Sequence, residues 1–191
     1  PEFQAILDQN PFLEGSFQQQ LITGLTYTFI YNQLTNPDKK NPILAVANFD
    51  IAGNILEWVG NETNKNGQKT LFDIAYAQYV KADINFVYNL KINSQQQLVT
   101  RLFGGIGIPY GNSESLPFAK QYFSGGPSSV RSFRTRSLGP GSYDPSETDQ
   151  GSFFDRSGDI RLEANIEYRF PVYSYLKGAL FVDAGNVWLT K

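Results

Sequence analysis

The sequence predicts an all-β protein built on one long antiparallel sheet, and three observations lead there. Six segments rich in aromatic and β-branched residues recur, each of about 12 to 17 residues, against about 5 to 6 for the usual globular strand. Within them apolar and polar residues alternate with period two, the signature of a sheet with one apolar and one polar face. Between them lie polar, Gly- and Asn-rich stretches such as "NQLTNPDKKNP" and "NETNKNGQK".

In chain order the segments are 16–32, 43–55, 77–92, 97–110, 159–173 and 176–188. In the first, Leu21, Thr23, Leu25, Tyr27, Phe29 and Tyr31 share a face opposite Gly24, Thr26 and Thr28. Asn36-Pro37-Asp38 is an ordinary turn signal before the second, and Asn66-Gly67 is another further on. "NILEWVG" and "TLFDIAYAQYV" are ambiguous: both admit a helical turn, and the second has i, i+3/i+4 apolar spacing. In the third segment Ala82, Ile84, Phe86, Tyr88 and Leu90 oppose Lys81, Asp83, Asn85, Val87, Asn89 and Lys91. In the fifth, Leu162, Ala164, Ile166, Tyr168 and Phe170 oppose Arg161, Glu163, Asn165, Glu167 and Arg169.

Two architectures share this pattern. In a soluble sandwich or ligand-binding barrel the apolar face points into a core. In an outer-membrane barrel it meets lipid, and the polar face lines a wet lumen. The strand length suits a tilted crossing of the hydrocarbon layer. Tyr and Phe gather near strand ends, as aromatic girdles do, and the chain has no Met or Cys to fill a core. A net charge of −2 gives no footprint for nucleic acid, and the absence of His and Cys removes the usual general base and metal ligands. No cofactor or metal is expected. Glu163 and Glu167 imitate a glycosidase dyad, but residues i and i+4 on a strand stand about 13 Å apart, beyond the roughly 5–9.5 Å such a pair needs. No enzyme is expected. The chain opens "PEFQAILDQNPF", without a charged n-region and apolar h-region, so a mature or internal stretch of a longer chain is expected.

The stretch "GGPSSVRSFRTRSLGPG" at 125–141 has three arginines and no acid. It resembles the loop signature of the BamA/TamA superfamily of outer-membrane insertases and translocators, a V-R-G-[FY] tetrad followed by [IL]-G-P. Val130, Arg131 and Phe133 match the tetrad, Leu138, Gly139 and Pro140 match the turn, and Ser132 stands where the family usually has Gly. "EYRFPV" resembles the family's Glu-x-x-[FIT]-P strand through Glu167 and Pro171. "ALFVDAGNVW" resembles its F-x-D-x-G strand through Phe181, Asp183 and Gly185. The match covers about 102–188, and the wording of "RTRSLGPG" and "LPFAKQYFSGG" is most similar to the TamA-like lipoproteins of Bacteroidota.

The resemblance implies an antiparallel transmembrane barrel of sixteen strands, of which residues 1–191 supply about six with no periplasmic POTRA domain. It implies an extracellular loop, at 111–158, folded into the lumen. Counting faces along 176–188 sends Leu180, Val182 and Ala184 to lipid, and Phe181, Asp183 and Gly185 inwards beside Glu163 and Glu167. Arg131 is then expected to enter the lumen and pair with Asp183, with Glu167 as second acceptor, because its planar fork suits carboxylates. Phe133 is expected against the inner wall beside Phe181 and Gly185, and Arg134 and Arg136 are expected to face the loop's outer half or solvent. The implied function is help with insertion or export of outer-membrane or surface proteins in the bacterial outer membrane. The implied partners are membrane lipid and lipopolysaccharide, client proteins, and a periplasmic or inner-membrane partner reached through upstream domains. The alternatives are a two-partner secretion pore and a soluble ligand-binding barrel.

Overall fold

The computed structural model describes residues 19–59, 62–64, 67–142 and 156–190. Six strands form one antiparallel sheet: β1 (Gly24–Asn32), β2 (Ile43–Ala52), β6 (Tyr79–Lys91), β7 (Gln97–Pro109), β8 (Ile160–Tyr173) and β9 (Leu176–Trp188), adjacent in that order. β3 (Glu62–Thr63), β4 (Lys69–Leu71) and β5 (Ile74–Ala75) make a separate three-stranded sheet in the β2–β6 connection. The ambiguous stretches resolve differently. "NILEWVG" holds one short helix, α1 (Leu56–Val59), whereas "TLFDIAYAQYV" turns at Phe72 and Asp73 with φ of 54° and 62° and pairs as strand. The first strand begins at Gly24; the expected start at residue 16 lies outside the described residues.

Register assigns the faces. Thr26, Asp50 and Lys81 lie in one cross-strand row, and Thr28, Asn48, Asp83, Gly105 and Arg161 lie in the next. Arg101, Asn165 and Asp183 form a third row on the same face, and Val99, Glu167 and Phe181 a fourth. The segment after β7, with a short 3-10 helix at Phe118–Lys120, lies over this polar face. The opposite face is apolar and open, with Leu25, Ile84, Leu162, Ile166 and Val182 exposed and Leu180 67% accessible. Glu163, by contrast, is 4% accessible. A soluble sandwich or ligand-binding barrel would bury the apolar face and wet the charged one, so this distribution is the reverse of that alternative. A small apolar cluster, Ala52, Ala77, Tyr79 and Leu116 with Ile22 against it, closes the end of the sheet where the long loop departs. No helix among the described residues is long and apolar enough to cross a membrane, which leaves strands untouched by the statement.

Candidate functional site

The loop leaves β7 and is held to the sheet by side chains spaced along it. Lys120 Nζ donates to Asp50 Oδ2 on β2 at 2.8 Å, and this bond holds the lysine above its ordinary pKa. Tyr122 passes over Gly105, where an added Cβ would lie 2.7 Å from the ring, and its hydroxyl donates to Asp83 on β6 at 3.2 Å. Burial, then the Asp83 charge, pushes the Tyr122 phenol well above its usual range. Its ring also takes Lys81 Nζ, 4.0 Å from the centroid, a cation–π contact. Ser124 donates to Glu163 Oε1 at 2.8 Å, and Ser129 bonds the same oxygen. Arg161 and Arg101 hold the other carboxylate oxygen at 2.8 and 3.0 Å. Glu163 is thereby saturated and neutralised, as a buried carboxylate must be.

The arginine of the tetrad sits at the next anchor. Residues 130–133 form a turn closed by Phe133 N–H to Val130 O at 3.1 Å. Ser132 occupies it without positive φ, so glycine is not required there. The turn aims Arg131 at the sheet. Nε and Nη2 donate to the two oxygens of Asp183, both at 2.8 Å, and the backbone N–H adds a third bond at 3.0 Å. Nη1 bonds Glu167 on β8. The guanidinium lies over the Phe181 ring, 3.7 Å from its centroid, and the bonds to Asp183 raise its pKa further above the usual range. Asn165 completes the set, donating to Asp183 Oδ1 at 2.9 Å and to Ser129 O at 2.7 Å. The structure thus brings Arg131, Asp183, Glu167 and Phe181 together.

Other expected placements differ. Phe133 is 48% exposed and does not occupy the space above Gly185. Val130, 4% exposed, takes it: a Cβ on Gly185 would lie 3.1 Å from Val130 Cγ2 and 2.7 Å from Glu163 Cγ. The reason is the turn itself, which directs its first two side chains to the sheet, while the Phe133 carbonyl accepts from Gly126 N–H at 2.9 Å. Of the two places expected for Arg136, the loop or solvent, it takes the loop: its guanidinium lies 4.9 and 4.5 Å from the ring centroids of Phe118 and Phe123. Arg134 and Ser132 are exposed. Leu138 bridges to Ser124, and past Gly139 and Pro140 the Gly141 N–H donates to Val187 O at 2.8 Å, tying the turn to the end of β9. Of the expected loop region 111–158, residues 143–155 lie outside the described residues.

Of the sheet acids that hold the loop, Glu163 is placed inwards by sequence together with Glu167 and Asp183, whereas Asp50 and Asp83 were not singled out as loop anchors. The alternation that placed Glu167 and Asp183 inwards would have found them. Ser124 and Ser129 carry no such signal, since they sit in irregular backbone.

The Omp85 superfamily domain matches residues 59–191. The outer membrane protein assembly factor BamA of Neisseria meningitidis serogroup B is 30% identical over 118 residues, which is 58% of this chain and 14% of the relative. The chain therefore spans about 14% of the length of that curated relative. With more than half of its residues matched by the family model, and an all-β antiparallel sheet beneath the match, the chain belongs to the Omp85 superfamily.

Proposed function

We propose that this chain is part of an outer-membrane barrel that assists the insertion or export of other outer-membrane or surface proteins. The observation that carries the proposal is the seating of Arg131 on Asp183 and Glu167, which fastens the loop to the polar face of two adjacent strands. The polar face is then the lumen wall and the open apolar face meets lipid, where an Arg or Lys would cost roughly 2–4 kcal/mol near the midplane. No acid or base chemistry is asked of these groups. Client strands engage a weakly paired seam by β-augmentation, and the docked loop keeps the wall rigid while they do. The partners on this account are client proteins, membrane lipid and lipopolysaccharide, and a periplasmic or inner-membrane partner bound by upstream domains. The wording of 116–126 and 134–141 supports the finer reading of a TamA-like lipoprotein of Bacteroidota.

The test is client assembly in cells whose sole copy carries Arg131→Ala. Folded reporter barrels, scored by their heat-modifiable gel mobility, should fall severalfold with the variant protein still present in the membrane. Normal assembly with a loop shown to be undocked would remove the loop from the mechanism.

A further inference from the structure

The end of the sheet opposite the loop has a separate concentration of charge. The turns there are short, and they and the adjoining strand ends carry Lys39, Lys40, Lys91, Arg169 and Lys177 against Asp38 and Glu167. Register places Lys91, Gln97, Arg169 and Ala179 in one row across β6, β7, β8 and β9. That row lies on the same face as Asp83 and Asp183, and Lys177, two residues before Ala179, shares the face. A cavity of about 510 Å³ lies among these side chains, walled also by Asn93, Gln95 and Gln96. Glu167 is already engaged by Arg131 and Arg169. Lys91 Nζ donates to the Lys39 carbonyl at 3.1 Å, and among the described residues neither Lys91 nor Lys177 meets an acidic side chain.

From this geometry we propose that the cluster binds an acidic stretch of extended polypeptide. The unneutralised cations match carboxylates, and the surrounding amides can both donate to and accept from a peptide backbone. An anionic lipid headgroup fits less well. Lipid would lie on the opposite face, with Leu162, Ile166 and Leu180, whereas register puts Lys91, Arg169 and Lys177 on the polar face; Phe170 and Gly178 reach the cavity wall from the apolar side. The proposal goes beyond the assembly function and rests on it only for the natural occupant, an acidic segment of a client at the mouth of the barrel.

The experiment is a fluorescence-anisotropy titration of the detergent-purified protein with a labelled (Glu-Ser)5 peptide, with (Lys-Ser)5 as control. The acidic peptide should bind and the basic one should not. Lys91→Gln with Lys177→Gln should weaken binding about tenfold, and the Arg pair at the same positions should restore it. Raising the salt to about 0.5 M should weaken binding as well. Equal affinity of wild type and the Gln pair, or equal binding of both peptides, would overturn the proposal. So would a Lys dependence seen only with phosphatidylglycerol vesicles, which would assign the cluster to lipid. Arg131→Ala separates the two proposals, since it should lower client assembly severalfold and leave peptide binding intact.

Discussion

Arg131→Ala is the perturbation whose consequence is most fully set by the geometry. The side chain is 23% exposed and its principal partner Asp183 is 3% exposed. Truncation removes two charge-assisted bonds to Asp183 and one to Glu167, leaving Asp183 with Asn165 and the Arg131 backbone N–H. Breaking a buried pair from one side costs about 3–5 kcal/mol. Partial access of water to the arginine argues for the lower end, about 3 kcal/mol, which is on the order of a hundredfold in the docking equilibrium. Native-state hydrogen exchange reads this directly, because the Arg131 and Gly141 amides donate to Asp183 and to Val187 O on β9, bonds that exist only while the loop is seated. Their exchange should rise by about that factor, while amides in the middle of β7 and β8 hold their protection. Asp183→Asn should do nearly as much, and the double variant should cost little more than either single one, since the pair acts as a unit. Unchanged exchange in Arg131→Ala, or fully additive effects of the two substitutions, would refute the assignment of Arg131 as the anchor.

Three further outcomes follow from neighbouring contacts. Gly185→Val should loosen the same loop by about 1–3 kcal/mol through overpacking, because even a Cβ there meets Glu163 and Val130 at 2.7 and 3.1 Å; heat-modifiability of the purified protein would show it. Glu163→Ala removes the acceptor of Ser124 and Ser129 and leaves Arg101 and Arg161 facing each other. It should open the loop near Ser124 in limited proteolysis, whereas Phe133→Ala, half exposed, should not. Lys120 and Tyr122 both have raised pKa values in the fold. Their stabilisation is therefore complete below the ordinary values of about 10 and is lost as pH rises above them. Loop protection at 120–122 should fall in that alkaline window and stay flat from pH 7 to 9.

The strands were legible because their physics is local. Ten residues of strict alternation in 161–170 leave one choice of face, and the structure keeps it, with Glu163 buried and Leu162 exposed. The approach of Arg131 to Asp183 was legible through motif order combined with that face count. Phe133 was misplaced because a tetrad names residues without saying how its turn is rolled. Arg136, at φ 61° between two rings, belongs to a fold of the loop that no periodicity encodes. The helical spacing in 70–80 failed for a related reason: the turn at Phe72 and Asp73 puts the two halves of the pattern on different strands.

The anchors have an order that bears on how the loop can move. Lys120 meets β2, Tyr122 meets β6, Ser124 and Ser129 meet β8, and Arg131 meets β9 and β8. Chain order thus follows strand order across the sheet. From β2 to β9 is four strand spacings, roughly 19 Å at about 4.8 Å each. The eleven residues from 120 to 131 could reach about 37 Å if fully extended, so the crossing has slack, and the turns use it. A segment fixed at several points with slack between them releases one end at a time. Loss of the Arg131 anchor should therefore free 130–141 while Lys120, Tyr122 and the two serines on Glu163 stay docked. In such a barrel the seated loop would be a strap that can lift at the β9 side without leaving the wall. Exchange in Arg131→Ala should consequently fall off steeply from Gly141 towards Tyr122; a uniform rise would mean that the anchors release as one.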